Sequence, residues 1–409
     1  MSLEQEFSDE NVLKFGRACF DIAEIINAKS KNPSFNTLLI PSRGAVPFFI
    51  GAMYAVRCLE REYPDYAELA TRLRVPRMIR EFVAPADAIP EQVERYRRIN
   101  ILLCPFTADI NTDQFAQDFG LVGRISNEDI INQTRSYWTR VVHGLSGGKK
   151  ERSRNQYLQL YLFLLKKLEG RTEIADEYEQ APRVDGMAMI DTVISGRAST
   201  TILDSFREVK ISPQAILIVD NDGNSYKEPF KTKIRIGKDS GQITTLPIPR
   251  IFSEDRGACL EGVAGMIYPS LMYYGMGMEV QGKPFFPVGA GSWHPLSQND
   301  PNKKAFEAFC KMLGSAVKVE CADYHSDTNK EQALQEMRTD RKSLLSLLKS
   351  GKLLSLKSTK SDLEGFGIKY LQDSKTYETS SHVVHIAFSE ELSRKLLGDF
   401  RKQFESAYI

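Results

Sequence analysis

Two short stretches carry residue types that together suit an anionic sugar. The first lies within Val184–Lys210. Met187–Ile190 is a brief apolar run, Asp191 follows it, and Ser195-Gly196-Arg197 makes a compact turn. Ile202, Leu203, Phe206 and Val209 then repeat at helical spacing. The pattern predicts a buried strand, a carboxylate, a small-residue turn and a helix. The first turn of a helix presents N–H groups without intrahelical partners, at the positive end of the helix dipole, so it suits a phosphate. Gly196 lets the backbone approach an anion closely. Ser195, Ser199, Thr200 and Thr201 add hydroxyl groups, and Asp191 is placed to accept hydrogen bonds from sugar hydroxyls. The second stretch repeats the layout upstream. Asn36–Pro41 reads as a buried strand, Ser42-Arg43-Gly44-Ala45 ends it, and an apolar helix begins near Pro47.

The elements that must position these residues follow from the rest of the chain. Asn36–Pro41, Ile99–Cys104, Met187–Ile190 and Gln214–Val219 are apolar runs bounded by turn signals and separated by helical patterns. That alternation predicts an α/β fold, with a doubly wound, mostly parallel sheet. Phe7–Ala28 has the stripe of an amphipathic helix. Residues 61–98 are rich in arginine and broken by prolines, the character of a solvated connector. Residues 105–182 are longer than a connection needs and read as a helical insertion. Within it, 141–156 combines three glycines with Lys149, Lys150, Arg152 and Arg154, and reads as a flexible basic loop. Tyr157–Leu168 is apolar on nearly every face, so it belongs in the core or in a subunit interface of a homo-oligomer. Thr232–Ile236 and Gln242–Leu246 flank a glycine-bounded turn and predict a β-hairpin, an antiparallel appendage to the sheet. A Gly- and Pro-rich segment at 282–302 marks a boundary, which divides the chain into a core at 1–285 and an α+β accessory region at 286–409.

Composition bounds the function classes. Lys and Arg number 54 against 53 Asp and Glu, a balance with no general pull toward nucleic acid or anionic membranes. The six cysteines are scattered singly, without the spacing of a zinc site, and fit reduced thiols in a cytoplasmic protein. No apolar run has the length to span a bilayer. The histidines are isolated, and His382 and His385 fall on opposite faces of a strand predicted at Ser381–Phe388, so they make no metal pair.

The two turns together resemble those of the type I phosphoribosyltransferases. That family has an apolar strand, two acidic residues, three variable residues and a Thr/Ser-Gly-x-Thr/Ser turn that opens a helix. Registered on Ser195-Gly196-Arg197, Asp191 takes the second acidic position, Ile190 the first, and Ala198 the last hydroxyl position, with Ser199 one residue later. The resemblance implies a ribose-phosphate site at Ser195, Gly196, Arg197, Ser199 and Thr200, and a pyrophosphate turn at Ser42, Arg43 and Gly44. It implies Asp191 and Arg43 as catalytic residues, and Mg²⁺ arriving with phosphoribosyl pyrophosphate. It also implies that the basic loop at 141–156 closes over the ligand. Two functions stay open. One is transfer of phosphoribosyl to a nitrogen acceptor. The other, suited to Ile190 at an acidic position, is a catalytically degenerate module that senses a nucleotide or sugar phosphate. A protein-interaction scaffold on an inherited α/β core is a third.

Overall fold

The computed structural model describes residues 3–42, 44–75, 79, 82, 98–104, 106, 127–168, 172–180, 184, 186–250, 271–273, 278–280, 283–285, 287–290, 301–324, 329–350, 374–378, 384–388 and 390–406. Arg43 and Cys259 lie outside them.

Six strands form the main sheet: β1 (Phe35–Ile40), β2 (Leu73–Arg74), β3 (Ile99–Leu103), β4 (Gly186–Val193), β5 (Gln214–Asp220) and β6 (Ile243–Ile248). Their order is β2-β3-β1-β4-β5-β6, and every pairing is parallel. Leu38 lies beside Ile101 on one side and Ala188 on the other, and Asp191 lies beside Leu217. The four apolar runs are thus the four neighbours β3-β1-β4-β5. Strands buried on both faces need apolar residues at consecutive positions, which is why these runs do not alternate.

Successive side chains point to opposite faces. Leu38, Ile40, Ala188, Ile190, Ile216 and Ile218 face one layer of helices. That layer contains α1 (Leu3–Glu6), α2 (Asp9–Ser30), α3 (Ala45–Leu59), α4 (Pro64–Arg72) and two helices from far down the chain. Leu39, Met187, Met189, Ala215, Leu217 and Val219 face the other. There lie α5 (Asn127–Ser146), α6 (Lys149–Arg154), α7 (Gln156–Leu168), α8 (Thr172–Gln180), α9 (Arg197–Glu208) and α10 (Phe230–Asp239). The described helices of the inserted segment send their buried side chains to the sheet rather than to a core of their own. Trp138 and Tyr161 are fully buried there and meet edge to face at 4.8 Å. The all-round apolar α7 is buried in this layer.

Two expectations are corrected. Residues 232–236 are not a hairpin strand but part of α10, and β6 runs parallel to β5 at the sheet edge. Thr-Lys-Ile-Arg-Ile has the alternation of a strand, yet Ile234 is buried while Ile236 is 59% exposed. A five-residue window cannot separate the two periods when only one of its apolar residues packs. Residues 141–156 are not an open loop either. Gly147 and Gly148 join α5 to α6, and Arg152 folds back, its Nη2 donating to Leu145 O at 2.8 Å and its Nε to Gly147 O at 3.0 Å. The guanidinium thus satisfies carbonyls at the end of α5.

Beyond residue 286 the chain adds α11 (Pro301–Cys321), α12 (Lys330–Lys349) and α13 (Glu390–Ser406). Phe306, Phe309, Leu313 and Val317 of α11 share the core of Phe15 and Phe48. Gly16 faces Ala316 so closely that an added Cβ would stand 2.7 Å from the alanine Cβ. Antiparallel strands do occur, away from the main sheet. β7 (Leu271–Tyr273), β10 (Pro287–Ala290), β11 (Ser374–Glu378) and β12 (Val384–Phe388) form a sheet in the order β11-β12-β10-β7, and β8 (Met278–Val280) pairs with β9 (Lys283–Phe285). Among the described residues no helix is long and apolar enough to cross a membrane.

Candidate functional site

Both turns singled out from sequence sit at the carboxyl ends of neighbouring strands. Ser42 and Gly44 follow β1, and Thr192 to Gly196 run from the end of β4. β1 leads into α3 on one face of the sheet, whereas β4 leads into α9 on the other. Adjacent strands whose following helices depart to opposite faces leave a crevice between them, and open α/β sheets bind ligands there.

Side chains close the base of this crevice. Ser42 Oγ and Thr192 Oγ1 share a hydrogen bond of 3.2 Å. An added Cβ at Gly44 would stand 2.7 Å from Thr192 Oγ1, so glycine permits the close approach of the two turns. Gly196 is the residue before α9 and has φ 83°. A Cβ there would also lie 2.8 Å from Ile234 Cδ1. Gly196→Ala is therefore expected to destabilise the fold by about 1–2 kcal/mol, the cost of a left-handed conformation for an L-residue. Urea denaturation measures it, and an unchanged midpoint contradicts the assigned backbone.

Asp191 is 1% exposed. Its Oδ2 accepts from Ser199 Oγ at 2.5 Å and its Oδ1 from the Thr192 N–H at 2.9 Å. Burial pushes its carboxyl above the ordinary range, while hydrogen bonding from Ser199, Ser42 and the Thr192 N–H, together with the charge of Arg135, opposes that rise. The carboxylate thus ties β4 to the first turn of α9. Arg135, buried on α5, had no signal in the sequence: it is one arginine in a helix whose polar residues are otherwise unremarked.

The hydroxyls divide into two groups. Thr200 Oγ1 donates to Gly196 O at 2.8 Å and Thr201 Oγ1 to Arg197 O at 2.6 Å, so both are spent inside α9. Ser199 is buried against Asp191. Ser195 and Ser42 are half-buried, and Ser195 Oγ accepts from the Arg197 N–H at 3.4 Å. Arg197 is exposed. The loop after β5 closes a third side: the Lys227 N–H donates to Ser195 O at 3.2 Å, and Tyr226 lies 3.9 Å from the Cβ position of Gly196.

The basic turn at 141–156 is not part of this site. The Val184 N–H donates to Leu145 O at 3.3 Å, which fixes the end of α5 beside the amino end of β4. Asp191 lies toward the other end of that strand, roughly 20 Å away at the usual rise per residue. A turn held there by Arg152 does not lie over Ser195.

Among the described residues no three or more His, Cys, Asp or Glu side chains gather to hold a metal ion. No family model, no curated protein and no solved structure matches the chain.

Proposed function

We propose that the chain binds a phosphorylated ribose in the crevice between β1 and β4. The observation that carries this reading is the convergence of the two glycine turns on adjacent strands, with Ser42 bonded to Thr192. In this reading the phosphate sits on the first turn of α9, where backbone N–H groups and the Ser195 hydroxyl face it. The Ser42–Gly44 turn takes a second anionic group, with Arg43 as its cation.

Binding or sensing without turnover is favoured over transfer. Ile190, at the first acidic position of the phosphoribosyltransferase pattern, is fully buried in the opposite layer. Both carboxylate oxygens of Asp191 already accept hydrogen bonds within the protein. Phosphoribosyl transfer to a nitrogen acceptor, with Mg²⁺ on the departing pyrophosphate, asks for a carboxylate facing the sugar. Release of pyrophosphate from phosphoribosyl pyrophosphate would reverse this preference.

Calorimetric titration with ribose 5-phosphate, pyrophosphate and phosphoribosyl pyrophosphate, each with and without Mg²⁺, tests the proposal. Saturable binding of at least one is expected. Arg43→Ala is expected to weaken it about tenfold, the loss of one charge-assisted contact. A folded parent that binds none of the three overturns the reading.

A further inference from the structure

α3 and α11 run side by side, and their contacts climb both helices in step. The Cβ position of Gly51 lies 3.7 Å from Leu313 Cβ, and that of Gly314 lies 3.2 Å from the Tyr54 ring. Past both helix ends, the Tyr63 hydroxyl donates to Tyr324 O at 2.7 Å. Cys58 follows Tyr54 by one turn and Cys321 follows Gly314 by two, so the pair falls between these fixed points. The register places the two thiols as neighbours, each perturbing the ionisation of the other, and both are free. Cys58 is partly exposed, which admits a small solute, while Cys321 is fully buried behind it.

We propose that Cys58 and Cys321 are a peroxide-oxidised site that closes to a reversible disulfide. Cys58 is the attacking group. The Cys321 thiol hydrogen bond, with Lys318 and Arg61 nearby, holds Cys58 below the ordinary thiol range against its partial burial. Cys321 is held above that range by the same hydrogen bond and by burial, so it remains a thiol until needed. The Cys58 thiolate attacks one oxygen of a hydroperoxide. An S–O bond forms, the O–O bond breaks, and the departing hydroxide takes up the proton that Cys58 released, giving water. Cys321 then attacks the sulfenic sulfur of Cys58. The S–S bond forms, the S–O bond breaks, and hydroxide leaves with the Cys321 proton as a second water. The two thiols lose two electrons and the peroxide gains them. Cys19 and Cys310 provide an internal contrast. They are buried on α2 and α11, and burial pushes both thiols up.

The test is a non-reducing tryptic map of the reduced full chain after hydrogen peroxide and alkylation. The expected product joins peptide 58–61 to peptide 319–330, about 2 Da lighter than the two free thiol peptides together. Dithiothreitol should release it, and Cys19, Cys104 and Cys310 should remain thiols. In Cys321→Ser, Cys58 is expected to stop at the sulfenic acid and to be trapped by dimedone. Should that variant fail to fold, the parent map decides alone. The proposal falls if Cys58 stays fully alkylatable after peroxide. It also falls if Cys58 passes to sulfinic acid without a cross-link, links to Cys259 instead, or joins Cys321 only in urea.

Discussion

A chain cut after residue 285 is expected not to fold, whereas one cut after residue 350 keeps a cooperative transition. The reason lies in what α11 covers. Phe306, Phe309, Met312, Leu313 and Val317 are buried to within 1% of complete exclusion from solvent. At about 1.5–3 kcal/mol for each buried side chain, their removal costs roughly 7–15 kcal/mol. The whole stability of an ordinary domain is about 5–15 kcal/mol, so nothing would remain. The cut also uncovers Phe7, Phe15 and Phe48, which face α11 in the same core. Ion pairs such as Arg338–Asp9, at 2.9 Å on the surface, are lost too but weigh little. The later cut preserves α11 and α12. It removes β11, β12 and α13; on α13 Leu396 and Phe400 are buried and the Phe400 ring lies 5.7 Å from Phe163. That loss is about 3–6 kcal/mol and leaves a weakened fold. Far-UV circular dichroism with urea titration of both truncations provides the measurement. A monomeric 1–285 fragment with the parent's midpoint would refute the shared core.

This helix shows where sequence reasoning stops. The stripe Ala305, Phe306, Phe309, Leu313 is plain at helical spacing, and it correctly predicts a buried face. Its partner is about 290 residues earlier, on α2, and no local pattern carries that pairing. The Gly- and Pro-rich stretch at 282–302 marks a break in chain composition, which is a different thing from a break in packing. The central strands were legible because burial on both faces demands unbroken apolar runs, and few other elements produce them. At the sheet edge the rule weakens: β6, with Thr244 and Pro247 exposed, alternates like half of a hairpin.

The site was legible in part for a similar reason. Gly44 and Gly196 mark turns, and strands predict which ends the turns occupy. That β1 and β4 are neighbours is a property of the sheet order. The engagement of Asp191 by Ser199 depends on the face to which each points, and Arg135 arrives from a helix whose sequence gives no sign of it. The reading of 141–156 as a lid failed because glycine and basic residues describe composition only. The carbonyls of α5 give Arg152 a structural use.

Asp191→Asn is expected to weaken binding of ribose 5-phosphate about tenfold to a hundredfold, the worth of charge-assisted hydrogen bonds at 1–3 kcal/mol. Ser199→Ala separates the two ways this can arise. If the carboxylate contacts the ribose, it must first release Ser199, and the Ala variant, with Oδ2 already unbound by Ser199, should bind as well as the parent or better. If Asp191 acts by holding the first turn of α9, Ser199→Ala removes that bond and Asp191→Asn reduces it to a neutral one, so both should weaken binding. Titration with pH gives an independent check. Burial raises the Asp191 carboxyl, so the folded chain keeps its proton at a pH where the unfolded chain has lost it. Its contribution to stability is therefore greatest in acid, below the unfolded value. That contribution declines as pH rises through the raised folded value and is level above it. Asn does not titrate, so Asp191→Asn should remove this slope from a urea-stability profile measured from about pH 4 to pH 8. Direct contact predicts that the parent's affinity falls as acid neutralises the carboxylate, and that the Asn variant's affinity does not follow. Equal affinity in the parent, Asp191→Asn and Ser199→Ala across that range would take Asp191 out of the site.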